Sequence, residues 1–163
     1  MMPHSSQPHG LGVIWVTLVG ALAFTLVPLP AWMATLWPAW MVLAVIYWTL
    51  ALPERFGLVQ AWLAGLLLDA VLGGVLGQHA LAMTVVAWIT QRLHLQIRPF
   101  PVWQQALVLL PLLGIYEFAL YWLSGIMGLR DPVWAWPAMV TGVLLWPLTF
   151  SILRAIRQRF QIA

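Results

Sequence analysis

The chain has 163 residues, of which 63% are hydrophobic and 7% are charged. Soluble domains are about 45–50% apolar and about 25% charged, so this chain has too few polar groups to cover a water-soluble surface. These proportions exclude a cytosolic enzyme, a nucleic-acid-binding domain and a disordered segment, and they predict a chain that is solvated by lipid. The lack of cysteine excludes a disulfide framework, a thiolate metal site and a lipid-anchored cysteine.

The charged residues are seven arginines and four acids, and the chain also contains twelve tryptophans. Most arginines stand singly between apolar runs, and a cluster lies near the C-terminus, which is typical of a membrane protein that sets its orientation by charge. The net charge of +3 therefore does not indicate nucleic acid as a partner. Tryptophan is favoured at the membrane–water boundary, where its ring is half buried and its N–H is hydrated.

Six apolar runs follow one another along the chain. A membrane-spanning helix needs about 20 mostly apolar residues, with roughly 17–25 tolerated. Prolines separate several runs, because the residue before a proline is biased away from helix. The predicted spans are about 11–27, 33–52, 57–72, 76–91, 103–126 and 134–153. We therefore predict an all-α, polytopic membrane protein, a bundle of six transmembrane helices that forms one domain over 1–163 and leaves no room for an extramembrane domain.

The stretch from 56 to 91 decides the number of spans. A single helix of about 36 residues would be roughly 54 Å long, which is far more than a hydrocarbon core of ~30 Å. Gly73 and Gly74, with Gly77 just beyond, mark a tight reversal, so two short helices fit better than one. Both helices are near the minimum length for a crossing, and a partly re-entrant hairpin stays open as an alternative.

The positive-inside rule favours the same number of spans. With a cytoplasmic N-terminus, six spans place six of the seven arginines inside and Arg130 outside, whereas five spans place at best five inside. The inside residues are Arg55, Arg92, Arg98, Arg154, Arg157 and Arg159. Both termini are therefore predicted to be cytoplasmic, 92–102 to be the longest cytoplasmic loop, and 11–27 to be a retained span rather than a cleaved signal peptide.

Asp69 is the most informative residue, because a charge near the centre of a membrane helix costs roughly 2.5–3.5 kcal/mol on insertion scales. Gly65 and Gly73 lie four residues before and after it, so the three share one helix face, and Gly77 continues the spacing. One interpretation is a substrate or proton site on that face. We favour the structural alternative, in which Asp69 bonds a hydroxyl, amide or imidazole of a neighbouring helix and the glycines allow close packing.

Glu117 is the second acid within a predicted span, at a depth similar to that of Asp69. His79 enters the membrane from the outer side in the fourth span, so a cluster of the three side chains in the outer half of the bundle is geometrically feasible. They show no metal-ligand spacing such as H-x-x-x-H, and we find no nucleophile–base pair and no phosphate-binding loop. We therefore predict no catalytic activity, no cofactor and no metal.

Arg154, Arg157 and Arg159 are predicted to continue the sixth helix into the cytoplasm. They suit a topology anchor that contacts anionic membrane lipid, worth about 1 kcal/mol per arginine, or a docking site for a cytoplasmic partner. On the outer side, Trp134 and Trp136 are predicted to belong to an aromatic belt rather than to a docking surface.

Several short patterns recur in one known family. They are Tyr47-Trp48-x-Leu50-Ala-Leu-Pro-Glu-Arg55, Gly65-x-x-x-Asp69-x-x-x-Gly73-x-x-x-Gly77, Leu81-Ala-Met83, Trp103-Gln-Gln-Ala-Leu107, Trp146-Pro147 and Arg154-x-x-Arg157-Gln. In order and spacing, from about 13 to 160, the chain resembles the rod shape-determining protein MreD family of Gram-negative bacteria. Asp69 matches the acid of the family's third-span Gly-Asp-Gly pattern, and Arg55 matches the basic residue of its Pro-x-Arg turn.

The resemblance implies a non-enzymatic, multi-pass subunit of the inner membrane that supports lateral peptidoglycan synthesis and rod shape. It implies the bitopic periplasmic protein MreC as a partner, with the MreB filament and the RodA glycosyltransferase and its penicillin-binding transpeptidase contacted directly or through MreC. It also implies a fold similar to that of the substrate-binding components of energy-coupling-factor transporters. A second hypothesis is a membrane component that binds or transports a small molecule or lipid intermediate, which predicts a cavity that reaches Asp69 or Glu117 from the outer side.

Overall fold

The structure, a computed structural model, describes residues 9–128 and 135–162, and all regular elements within these ranges are α-helices. The helices are α1 His9–Thr25, α2 Ala31–Ala34, α3 Trp40–Ala51, α4 Leu58–Leu72, α5 Gln78–Ile97, α6 Val102–Ile126 and α7 Trp136–Arg159. The all-α prediction is thereby confirmed for the described part of the chain. Arg130 and Trp134, both predicted to lie on the outer side, are outside the described residues.

Helices α6 and α7 are long and apolar enough to cross a membrane, judged by their length and composition. Helices α1, α3 and α4 are apolar but have only 17, 12 and 15 residues. Large apolar side chains face outward, and Val16 and Leu144 are 70% and 71% exposed. The described helices are consistent with a membrane protein, while the six-span topology and the cytoplasmic termini stay predictions.

The region of the predicted second span, 33–52, differs from a single helix. The short helix α2 ends at Ala34 and α3 begins only at Trp40, after Pro38. Proline disfavours helix at the residue before it and lacks an N–H, so the helix restarts beyond it. Within the break, Trp37 Nε1 donates a hydrogen bond to the Phe24 carbonyl at 2.9 Å, which attaches this segment to the end of α1.

The fourth predicted span continues beyond its expected end at 91. Helix α5 reaches Ile97, so Arg92 and His94 are helical rather than part of a loop. The Phe100 N–H bonds to the Ile97 carbonyl at 3.0 Å, and α6 follows within a few residues. The prediction from hydropathy placed the end of this span too early. The last turns of α5 are polar, but their backbone hydrogen bonds continue the helix to Ile97.

Helix α3 is the centre of the bundle. All its residues from Met41 to Ala51 are buried, and it contacts α1, α4, α5 and α7. A helix that is apolar on every side is stable where neighbours cover every side. These four helices therefore cover α3, and exposed apolar side chains lie on the outward faces of the bundle.

One buried hydrogen bond joins α3 to α1. Trp48 Nε1 donates to Thr17 Oγ1 at 2.9 Å, and the same hydroxyl donates to the Ile14 carbonyl at 2.7 Å. Trp48 is completely buried, so its N–H has no access to water. The Thr17 hydroxyl thus satisfies the indole by accepting while it donates along its own helix.

Replacing Thr17 by valine is expected to lower the free energy of unfolding by about 1 kcal/mol, because the shape is kept while the indole N–H loses its acceptor. The measurement is thermal denaturation of the purified protein in detergent. Thr17→Ser keeps the hydroxyl and should stay close to the wild type. A valine variant as stable as the serine variant would show that the bond contributes nothing.

Candidate functional site

The reversal predicted around Gly73 and Gly74 connects α4 to α5. Helix α4 ends at Gly73, with φ 68°, and α5 is preceded by Gly77, with φ 102°. Both values lie in the left-handed region, where a Cβ adds strain and glycine is favoured. Gly73 therefore allows α4 to end and Gly77 allows α5 to begin, and α5 runs back along α4.

The Asp69 carboxylate binds the beginning of α5. Its Oδ2 accepts hydrogen bonds from the N–H groups of Gly77 at 2.8 Å and Ala80 at 3.3 Å, and its Oδ1 accepts one from the N–H of His79 at 3.0 Å. Oδ1 also lies 2.7 Å from His79 Nδ1, and the Asp69 side chain is 1% exposed. The first N–H groups of a helix lack intrahelical partners and favour a negative charge. These contacts match the structural interpretation of Asp69.

Gly65 lies at a close approach between α4 and α5. A Cβ at this position would lie 2.3 Å from Ala80 Cα and 2.6 Å from Ala80 N. Ala61 and Ala64, on the same helix, are also completely buried. The small residues around Asp69 therefore pack against the chain's own α5, which comes into contact with α4 directly after the reversal.

Gln78 attaches the beginning of α5 to α6. Its Nε2 donates to the Leu120 carbonyl at 3.2 Å and to Ser124 Oγ. The sequence analysis did not single out this residue. A polar amide at the first position after Gly77, next to an otherwise apolar run, was the available signal.

A cavity of about 710 Å³ lies beside the reversal and is lined by parts of α3, α4, α6 and the beginning of α7. His79, Tyr116 and Glu117 line it, and the His79 and Tyr116 ring centroids are 6.4 Å apart. Asp69 contacts His79 but is not part of the cavity lining. The cluster predicted from Asp69, His79 and Glu117 is thus divided between a helix cap and a cavity wall.

The rest of the cavity wall is largely apolar. It includes Trp37, Met41, Leu68, Leu120 and Trp136. Glu117 and Ala135, the residue just before α7, both line the cavity. Ligand sites combine apolar walls with a few polar groups, so this cavity has room for an apolar molecule beside a carboxyl and an imidazole. Trp136, predicted to be part of an aromatic belt, is 63% exposed.

The basic residues that were predicted to be candidates do not line the cavity of about 710 Å³. Arg154 and Arg157 belong to α7, which reaches Arg159 as predicted, and both line a second cavity of about 260 Å³. Arg98, Tyr47 and Gln105 line the same cavity. The sequence assigned Arg98 only to topology and gave Tyr47 and Gln105 only as parts of family patterns. It could not place the three at one cavity, because the contact joins four separate helical regions.

Arg55 and Arg159 are not part of either cavity lining. A Cβ at Gly10 would lie 2.9 Å from Arg55 Nη1, so this guanidinium packs beside the beginning of α1. Arg159 is exposed at the end of α7. Within 9–128 and 135–162, no three His, Asp or Glu side chains gather in a way that could hold a metal ion.

The family model for the rod shape-determining protein MreD matches residues 8–156 of the chain. The chain is also 30% identical over 155 residues to the rod shape-determining protein MreD of Haemophilus influenzae, an alignment that covers 91% of this chain and 94% of that protein. No solved structure matches significantly, so the similarity to energy-coupling-factor components stays a prediction. With the glycine–aspartate turn of α4 and α5 inside the matched region, the chain belongs to the rod shape-determining protein MreD family.

Proposed function

We propose that this protein is a non-enzymatic, multi-pass subunit of the bacterial inner membrane that scaffolds MreC and the peptidoglycan synthase complex to maintain rod shape. Family membership supports the role in cell shape. The observation that carries the scaffold role is the complete engagement of Asp69. A carboxylate has about four acceptor positions, and here three backbone N–H groups at the start of α5 donate to it while His79 Nδ1 lies 2.7 Å away. Burying this acid in a membrane helix costs free energy, and its oxygens are already engaged by these groups. Asp69 therefore stabilises the fold and has no free acceptor for a catalytic step.

The arrangement of the arginines supports the proposed topology, in which both termini are cytoplasmic. Arg98 Nη2 donates to the Ala51 carbonyl at 3.3 Å, which joins the ends of α5 and α3. Arg154 and Arg157, near the end of α7, line a cavity together with Arg98. The start of α1 lies beside Arg55. These basic residues share one end of the bundle, as expected for a cytoplasmic face.

Because the chain contains no cysteine, single-cysteine labelling tests this topology directly. Gly74 and Gln158 are exposed at opposite ends of the bundle. We expect a membrane-impermeant maleimide to label Gly74→Cys in intact spheroplasts and Gln158→Cys only after the membrane is opened. The reverse pattern, or labelling of both in spheroplasts, would contradict cytoplasmic termini.

The proposed binding site for the transmembrane helix of MreC is a groove on the side of the bundle. It has a volume of about 420 Å³, lies between α1, α3 and α7, and is lined by small residues such as Gly20, Ala21 and Ala44. Small residues allow a neighbouring membrane helix to approach closely. MreB and RodA with its transpeptidase would then be contacted directly or through MreC.

The groove is tested by filling it. A Cβ at Gly20 would have no neighbouring atom of the described residues within 4 Å, so leucine there is expected to leave the fold intact while it occupies the groove. We expect Gly20→Leu to reduce MreC recovery in co-purification by about tenfold and to cause rounded cells, as the loss of about 1.4 kcal/mol of binding would. Gly12, on the same helix and equally open, is the matched control. Equal MreC recovery by both leucine variants would overturn the assignment.

The cavity of about 710 Å³ beside the reversal favours a second candidate function, the binding or transport of a small molecule or lipid intermediate. Its apolar wall and its Glu117 and His79 side chains suit an amphipathic molecule. This function predicts a co-purifying molecule of defined mass in native mass spectrometry, lost in a Leu120→Trp variant that narrows the cavity. A wild-type spectrum without such a molecule would remove this candidate.

A further inference from the structure

The second cavity, at the end of the bundle where α3, α5, α6 and α7 meet, concentrates positive charge. Arg98, Arg154 and Arg157 line it, and its other walls include Tyr47 and Gln105. No carboxylate of the described residues lies within 4.0 Å of the three guanidinium groups. The one ion pair in the described part of the chain joins His79 and Asp69, which do not line this cavity. Three like charges around one small space repel each other unless an anion lies between them.

The hydrogen bonds already present leave most of the guanidinium donors available. Arg98 Nη2 donates to the Ala51 carbonyl, and Arg157 Nε donates to the Ile162 carbonyl at 3.2 Å. Tyr47, which is 3% exposed, lines the same cavity beside Arg157. A guanidinium carries five N–H donors, so several donors in this cavity have no acceptor among the described residues. The groups are held in position, and no carboxylate of the described residues neutralises their charge.

Gln105 is the second observation that points to a ligand. It is 6% exposed, and its Nε2 is engaged by the Phe100 carbonyl at 3.1 Å. Its Oε1 is buried without a hydrogen-bond partner among the described residues. Buried polar groups are nearly always paired, so an unpartnered amide oxygen in a cavity wall indicates a missing donor.

We propose that this cavity binds the head group of an anionic phospholipid, with the phosphodiester between Arg98, Arg154 and Arg157. Guanidinium groups pair with phosphate oxygens through two parallel hydrogen bonds, and basic pockets between membrane helices on the cytoplasmic side are known to bind such head groups. A free hydroxyl of the alcohol that is esterified to the phosphate supplies the donor for Gln105 Oε1. This assignment rests on the proposed orientation, in which this end of the bundle is cytoplasmic.

Size and surroundings favour lipid over a protein partner. The cavity has a volume of about 260 Å³, which is room for about nine water molecules at 30 Å³ each. That space suits a phosphodiester with a small alcohol and is too small for a peptide segment. Leu50, Ala51 and Phe150 form the apolar part of the wall, next to which an acyl chain would continue into the bilayer.

The test is native mass spectrometry of the full chain in detergent, titrated with phosphatidylglycerol. We compare the wild type with the triple variant Arg98→Gln, Arg154→Gln and Arg157→Gln. The matched control is Arg55→Gln, Arg92→Gln and Arg159→Gln, which removes the same charge at the same end outside the cavity. We expect binding about tenfold weaker or more in the cavity variant, and within about threefold of the wild type in the control.

Each other outcome overturns the assignment. Equal weakening in both triple variants would show diffuse attraction between charges rather than a site. Displacement of the lipid by millimolar inorganic phosphate, or equal binding of phosphatidylcholine, would show that a free anion or any phospholipid suffices. Unchanged lipid binding with loss of a co-purifying cytoplasmic protein would assign the cavity to a protein partner. If the triple variant does not fold, Arg154→Gln, which alters an exposed side chain, is compared with Arg159→Gln.

The topology experiment separates this inference from the scaffold function. If labelling places the arginine-lined end outside, the proposed orientation fails, whereas lipid binding measured in detergent is unaffected. If the orientation is confirmed and lipid binding is lost equally in both variants, only the lipid site fails.

Discussion

Replacing Gly65 by alanine is expected to destabilise the protein strongly, although alanine normally favours helix over glycine by about 1 kcal/mol. The added Cβ would lie 2.3 Å from Ala80 Cα and 2.8 Å from the His79 carbonyl carbon. These are backbone atoms of α5, so no side-chain rotation relieves the contact and the two helices must separate. Overpacking costs about 1–3 kcal/mol, and a backbone contact belongs at the upper end of that range.

Gly12→Ala and Gly125→Ala are the matched controls, because both glycines are helical and have no neighbouring atoms within 4 Å. They should be neutral or slightly stabilising in thermal denaturation in detergent, whereas Gly65→Ala should fall well below the wild type and fail to maintain rod shape in cells. A Gly65→Ala protein as stable as the controls would show that α4 and α5 are not in contact at this point.

Replacing Asp69 by alanine is expected to lower the free energy of unfolding by about 3–5 kcal/mol. The change leaves the N–H groups of Gly77, His79 and Ala80 without their acceptor at a buried helix start. The Asp69→Asn variant keeps one acceptor oxygen and loses the charge, so its stability should be intermediate. His79→Ala removes only the imidazole contact and should cost about 1 kcal/mol.

The order of these three variants separates a structural role of Asp69 from a chemical one. For the helix cap, stability and cell shape should decline together, least for His79→Ala and most for Asp69→Ala. For a substrate or proton site, Asp69→Asn would abolish function in a protein of normal stability and abundance. Denaturation midpoints, membrane abundance and cell width, measured on the same strains, decide between the two outcomes.

The contacts around Asp69 explain why an acid and several glycines occur together in an apolar chain. Gly65 brings α5 close to α4, Gly73 and Gly77 allow the reversal between them, and Asp69 satisfies the N–H groups that the reversal exposes. Asp69 can accept hydrogen bonds from the start of α5 only because Gly65, Gly73 and Gly77 allow α5 to fold back close to α4. The motif therefore builds a closely packed helical hairpin from α4 and α5.

Much of this arrangement could be predicted from the sequence, since it depends on residues close together in the chain. The low charge predicts a lipid environment, the two glycines at 73 and 74 predict the reversal, and the four-residue spacing predicts that Gly65 and Asp69 share a face. The partner of Asp69 was left open between hydroxyl, amide and imidazole. Backbone amides and the imidazole of His79 both bond to it.

Other features could not be predicted, because they depend on the fold rather than on local pattern. Apolarity alone does not distinguish a continuous second span from the break around Pro38, or a loop at 92–102 from the continuation of α5 to Ile97. In both places, hydropathy measures affinity for lipid, whereas backbone hydrogen bonding determines where a helix ends.

The residue pattern alone is sufficient to predict an all-α apolar chain and the helical reversal around Gly73, because composition and short spacings have the same effect in any fold. Only the tertiary structure assigns Asp69 to the start of α5, separates Glu117 from it, and brings Arg98, Arg154 and Arg157 around one cavity. Those relations join residues that are distant along the chain, and they arise from helix packing, which short-range patterns do not encode.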